Sequence, residues 1–297
     1  MKKRLIGFFG LGISVVGFCV ILTSCSKSKD PNAQLNAELT VIDDYLTTNA
    51  SNYYEILYSE VPVGITILGH GPMPSKGQSV TLYYNLRLFP SGTLVKTDSL
   101  VNKVIDDIQE VGLSSVSIIP AGSSANVFVP SPHAYGSTGD ASIGTGIPPN
   151  TSLVYEIRLQ DVKKTADQET QFQKDQQIIQ SYVDTVKGPP IIQLPNGVWM
   201  KTTVAGTGAS PKLYDYVSFQ YTGIVLTTGN QFDSQTLSTI PLLNLIEGLR
   251  QGMPYMQEGG SATFYIPSLY GYGTAGTSAI PSNAPLIFKI TLNGINK

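Results

Sequence analysis

Few side chains in this 297-residue sequence could carry covalent chemistry. It has two cysteines, Cys19 and Cys25, and two histidines, His70 and His133. Both cysteines fall within or just after an N-terminal apolar stretch, so the region beyond has no thiol for a disulfide, a nucleophile or a Cys-based metal site. The histidines stand apart, with no second nitrogen or paired carboxylates at ligand spacing, and no metal is expected. The second half has no histidine and so cannot hold a Ser-His-Asp triad. Two short patterns are decoys. Gly271-Tyr272-Gly273-Thr274-Ala275-Gly276 fits a dinucleotide-binding glycine pattern, but Ile280-Pro281 arrives where its helix should run. Ser26-Lys27-Ser28-Lys29 fits a serine–lysine nucleophile pattern but lies in a polar tether. Neither metal nor cofactor is expected, and any activity should be non-covalent.

The elements that must position a site begin after residue 34. Lys2, Lys3 and Arg4 precede an apolar run from Leu5 to Leu22 that contains four glycines, which reads as a secretory signal over residues 1–24. Leu22-Thr23-Ser24-Cys25 resembles the lipobox of bacterial lipoproteins, which implies acylation of Cys25 and a membrane anchor. Residues 25–34 read as a tether. Loss of the three basic residues leaves a net charge near minus five and no basic patch for nucleic acid.

The remainder is written twice, at an offset of about 137 residues that shrinks to about 133 near the end, a duplication rather than a solenoid. Ile42-Asp43-Asp44-Tyr45 matches Ile179-Gln180-Ser181-Tyr182. Val80, Leu82 and Tyr84 alternate as Val217, Phe219 and Tyr221 do, the period of a half-buried strand. Leu153, Tyr155, Ile157 and Leu159 repeat as Leu286, Phe288, Ile290 and Leu292. Strands are predicted at 197–204, 213–225, 261–266 and 285–293. Helices are predicted over about 35–46 and 165–186, and helical spacing runs through Leu243–Met256. The expected plan is a first domain at 35–163, a helical linker at 164–189 and a second domain at 190–297.

Within the second copy, Val217-Ser218-Phe219-Gln220-Tyr221-Thr222-Gly223, Gln231-Phe232-Asp233-Ser234 and Leu245-Ile246-Glu247-Gly248-Leu249 occur in order. Ile266-Pro267, Tyr270-Gly271-Tyr272-Gly273 and Ile280-Pro281 through Phe288 follow them. Over about 100 residues this resembles the FKBP-type peptidyl-prolyl cis-trans isomerases, called rotamases or isomerases. The resemblance implies an α+β fold of two FKBP-like domains, each a curved antiparallel β-sheet wrapped over one short α-helix with a helical lead-in. It implies catalytic roles for Tyr221, Phe232, Asp233, Ile246, Tyr272 and Phe288, and substrate contacts from Leu245, Leu249 and Ile280. Leu249 stands where many members have tryptophan, which keeps an apolar floor but removes aromatic area.

The first copy matches less well. Its corresponding residues are Tyr84, Thr97, Asp98, Leu113, Tyr135, Ile147 and Tyr155, with Thr97 in place of the pocket phenylalanine and Leu86 in place of a glycine. A hydroxyl in an apolar pocket needs a partner, so this copy is expected to be weak or inactive.

Rotation about an Xaa-Pro amide faces a barrier of roughly 20 kcal/mol because resonance must be broken. The planar amide is the more dipolar form, so water favours it while a water-poor apolar pocket relatively favours the twisted transition state. Two functions compete. One is an isomerase that assists folding of exported proteins; the other is a non-catalytic, chaperone-like module that clamps proline-containing partners. Expected partners are proline-containing polypeptides and the membrane through Cys25, with no nucleic acid. The expected location is the cell envelope, at the outer membrane facing the periplasm or the surface. Oligomeric state is not legible.

Overall fold

The computed structural model describes residues 32–49, 54–58, 60–69 and 71–296. The predicted signal, Cys25, the tether as far as residue 31, and His70 lie outside the described residues. The chain forms two compact units. One takes residues up to Gly69 with Val80–Asp161, and the other takes His70–Ser79 with Val162–Lys297. Residues 71–79, expected in the first domain, thus belong to the second unit, where the Met73 N–H donates to Glu247 at 3.0 Å.

In the first unit, helix α1 (Ala33–Thr48) precedes strands β1 (Tyr54–Tyr58), β2 (Val61–Ile67), β3 (Ser79–Phe89) and β4 (Leu94–Val104). A short helix α2 (Val111–Ser114) and strands β5 (Ser124–Val129) and β6 (Ser152–Lys163) complete it. The second unit repeats this with α3 (Ala166–Val183), β7 (Ile191–Gln193), β8 (Trp199–Val204), β9 (Tyr216–Val225), β10 (Gln231–Pro241), α4 (Glu247–Gly252), β11 (Ser261–Ile266) and β12 (Leu286–Asn296). The sheet orders are β1-β2-β5-β6-β3-β4 and β10-β9-β12-β11-β8-β7. Read from opposite ends they are one topology, so the written repeat is a repeated fold.

In the second sheet β9 pairs antiparallel with β10 and β12, and β11 with β12 and β8. Alternation sends Val217, Phe219, Phe264, Ile266, Leu286, Phe288, Ile290 and Leu292 to one face, where they bury against Leu249, Met253 and Met256. Helix α4 is shorter than the spacing predicts, because 3₁₀ turns at Leu242–Asn244 and Met253–Tyr255 flank its six residues. It can lie this close to β11 because Gly248 has no side chain: a Cβ there would stand 2.3 Å from Ile266 Cγ2. β10, not predicted as a strand, is an edge strand with register shifts between Gln231 and Asp233 and between Leu237 and Ile240.

Each sheet carries its long helix on the other face. Helix α3 starts at a capping box in which Thr165 accepts from the Gln168 N–H (3.2 Å) and Gln168 Oε1 from the Thr165 N–H (3.1 Å). Its Ile179 and Val183 bury against Leu226, Tyr265 and Ile287. In the first unit Ile42 and Leu46 of α1 bury likewise with Phe89, Phe128 and Val154. The segment expected as a helical linker is therefore a packed layer of the second unit, because four of its residues, Phe172, Asp175, Ile179 and Val183, are buried.

Candidate functional site

Tyr221 points from β9 toward the end of the sheet face that covers α4. Three strands later in sequence but adjacent in space, Phe288 of β12 lies 5.8 Å from it, ring centre to ring centre. Phe232 enters from β10 as the extra residue of a bulge, since Gln231 pairs with Ile224 while Asp233 already pairs with Gly223. Its ring meets Phe288 edge-to-face at 5.6 Å and 72°, and Tyr272 at 6.3 Å and 82°. The bulge leaves the ring over Gly223, where a Cβ would come within 2.4 Å of Phe232 Cζ. Glycine at 223 is thus the seat of the phenylalanine.

The nine residues predicted for this site come together. Leu249, Ile280 and Phe288 belong to the buried core, and Tyr221, Phe232, Leu245, Ile246 and Tyr272 pack half-buried against it, with one side open to solvent. Asp233 is the ninth. Its carboxylate accepts a short hydrogen bond from the Tyr221 hydroxyl, and also bonds the N–H of Ser234 at 2.8 Å. The tyrosine's bond holds the Asp233 carboxyl below the usual carboxylate range. Burial, and then the bond to Asp233, push the Tyr221 hydroxyl well above the ordinary phenol range. Both groups keep one protonation state across neutral pH, which makes the pair a brace and not a proton relay.

Two donors on residues of this cluster have no internal partner among the described residues: the Tyr272 hydroxyl and the backbone N–H of Ile246 at the start of α4. Burial, then the charge of Asp233, raises the Tyr272 hydroxyl, so it stays protonated and able to donate.

The first unit assembles differently. Tyr84 keeps the brace with Asp98 at 3.5 Å, and its ring lies 5.9 Å from that of Tyr155. Leu113 and Ile147 are buried, and Tyr135 is half-buried. Thr97, expected to line this pocket, does not: its hydroxyl donates to Asn85 Oδ1 at 2.7 Å. Neighbours along a strand face opposite ways, so Asn85 lies on the face away from Tyr84. Lys96 reaches in instead, its Nζ 5.2 Å from the centre of the Tyr84 ring and 3.7 Å from Asp98. Glu110, at the start of α2 where the second unit has Ile246, accepts from the Tyr155 hydroxyl at 3.1 Å. Leu86, fully buried, fills the place of Gly223. Sequence reasoning passed over Lys96 and Glu110, although aligning Gly112-Leu113 with Gly248-Leu249 sets Glu110 opposite the apolar Ile246.

Residues 71–160 and 208–293 match the family model described as FKBP-type peptidyl-prolyl cis-trans isomerase. The chain belongs to that family. Its relatives include the FKBP-type peptidyl-prolyl cis-trans isomerase FkpA of Aeromonas hydrophila, 39% identical over 106 residues, 34% of this chain and 39% of that one. FK506-binding protein 1A of Aspergillus fumigatus is 38% identical over 108 residues, 34% of this chain and 96% of that one. The outer membrane protein MIP of Legionella longbeachae is 34% identical over 114 residues, 37% of this chain and 48% of that one. The match spans less than half the length of these two bacterial relatives. Among the described residues no helix is long and apolar enough to cross a membrane, and no group of three or more metal-ligating side chains occurs.

Proposed function

We propose that this FKBP-family chain is a peptidyl-prolyl cis-trans isomerase of the bacterial envelope, and that the second unit carries the activity. The convergence of Tyr221, Phe232, Tyr272 and Phe288 beside two unpartnered donors carries the reading. A prolyl ring would rest on Phe232, Phe288 and Leu249, with Leu245 and Ile280 closing the sides. Away from water, the dipolar planar amide loses more solvation than the twisted one, which lowers the barrier. The Ile246 N–H and Tyr272 hydroxyl would hold carbonyls flanking the proline, fixing the chain while one amide turns. The Asp233–Tyr221 brace would keep the Tyr221 ring as a wall.

The first unit would be weak or inactive. Lys96 and Glu110 place charges where the second unit has apolar groups, and a prolyl ring would have to displace their solvation. This favours a second, non-catalytic role for that unit, as a clamp on client chains. Anchoring through acylated Cys25 would hold the protein at the outer membrane, a location in keeping with the name of its Legionella relative. Its clients would be proline-containing exported polypeptides.

The test is isomerisation of short Xaa-Pro peptides by the full chain, unaltered and as Phe232→Ala or Tyr272→Phe. Catalysis that both substitutions reduce at least tenfold is expected. Rates equal to the uncatalysed reaction in the unaltered chain would remove the enzyme and leave the clamp, which then has to be seen as peptide binding.

A further inference from the structure

We propose that Asp175 of α3 is a positioning residue for Tyr272, acting through the turn 268–273; this rests on the isomerase reading above. Asp175 is fully buried, and no cation pairs with it among the described residues. Its Oδ2 accepts from both the N–H (2.7 Å) and the hydroxyl (2.5 Å) of Ser268, and its Oδ1 from Gln171 Nε2 at 2.7 Å. Ser268 passes the constraint on. Its carbonyl accepts from the N–H of Gly271 (3.0 Å) and of Gly273 (2.8 Å), the two neighbours of Tyr272. The phenol thus stands on a turn whose two ends are tied to one serine, itself tied to a helix on the opposite side of the sheet.

The first unit builds the same joint with a different acid. Glu38 of α1 accepts from the N–H and the hydroxyl of Ser131, both at 2.5 Å. The Ser131 carbonyl accepts from Ala134 (3.0 Å) and Gly136 (2.8 Å), on either side of Tyr135. Asp175 follows Glu38, and Ser268 follows Ser131, at the same offset of about 137 residues found elsewhere in the repeat. Docking a helix does not call for a buried carboxylate, because apolar side chains of similar size do as well or better. Ile179, Val183 and Phe172 already seat α3. An acidic side chain kept at this point in both copies, bonded to the turn that presents a tyrosine, is explained by the turn.

The full chain is compared as wild type, Asp175→Ala, Asp175→Glu, Tyr272→Phe and the Asp175→Ala/Tyr272→Phe double variant. Trp199, the sole tryptophan, donates its indole N–H to Gln176 of α3 at 2.7 Å, so its emission reports whether the helix is seated. Asp175→Ala is expected to keep that emission while kcat for an Xaa-Pro peptide falls about tenfold with KM changed little. Adding Tyr272→Phe should cost nothing further, Asp175→Glu should restore most of the rate, and the Gly271 and Gly273 amides should exchange faster in Asp175→Ala. A double variant whose loss equals the product of the single losses would overturn the proposal. Should the unaltered chain fail to catalyse, the isomerase reading falls alone and amide exchange still decides: unchanged protection of Gly271 and Gly273 in Asp175→Ala overturns the positioning role. If Asp175→Ala loses the Trp199 signal, Ser268→Ala, which removes only the hydroxyl bond, undergoes the same comparison.

Discussion

Substitution of Gly223 by alanine tests how the site is seated more sharply than removal of any aromatic ring. The added Cβ would lie 2.4 Å from Phe232 Cζ, 2.6 Å from Cε2 and 3.1 Å from Cε1, inside the contact distance of two carbons. β9 is hydrogen-bonded on both sides, to β10 and β12, so the backbone has little room to yield and the ring must move. Overpacking of this size costs about 1–3 kcal/mol. Displacing Phe232 also forfeits its edge-to-face contact with Phe288, worth about 1 kcal/mol. Taking roughly 2–4 kcal/mol in all, the second unit should melt about 5–15 °C lower. kcat/KM for an Xaa-Pro peptide should fall at least tenfold. Scanning calorimetry and a coupled peptide assay read the two effects, and the cycle with Phe232→Ala separates them. With the ring gone the extra methyl has room, so Gly223→Ala should cost almost no further stability in the Phe232→Ala background. Equal costs in both backgrounds would refute the clash, and wild-type activity in Gly223→Ala would refute the role of Phe232 in the site.

A chain begun at residue 190 should be less stable than one begun at 164. It loses the burial of Phe172, Ile179 and Val183, roughly 5–9 kcal/mol as an upper estimate, and urea titration of both fragments reads the difference. Activity should be flat from about pH 5 to 9. Asp233 has its carboxyl lowered in the fold, so its contribution is complete above the unfolded value and is lost only as pH falls through the lower folded one, while Tyr221 and Tyr272 are raised. A pH–rate profile with a limb near neutrality would contradict this. In a chain silenced by Phe232→Ala, Thr97→Phe should restore no isomerisation, because position 97 faces Asn85 and not Tyr84; any regained rate would show the orientation to be wrong.

The repeat and its period-two strands were legible because burial on a sheet face writes an alternation into the sequence, as Leu286, Phe288, Ile290 and Leu292 show. β10 was not, since most of its residues are exposed at an edge and carry no such pattern. The span of α4 was overread because three short helical turns in series place Leu245, Leu249, Met253 and Met256 at nearly helical spacing. The nine residues proposed for the second site were singled out by their order along the chain, and the fold gathers them around one core. Their counterpart Thr97 was misplaced because a shift of one residue in a strand reverses the face, and nothing local to the sequence marks where such a shift occurs. Asp175 and Ser268 are 93 residues apart, and only comparison of the two copies would have paired them.

An isomerase acting on unfolded clients, as proposed, would work beside chains whose backbones seek any strand to extend. The interrupted register of β10 denies them one. With its pairing rhythm broken at Gln231–Asp233 and again at Leu237–Ile240, this border offers no long run of evenly spaced donors and acceptors on which a stranger could zip itself. The irregularity that aims Phe232 inward would therefore also guard against co-aggregation with the substrates it is proposed to serve.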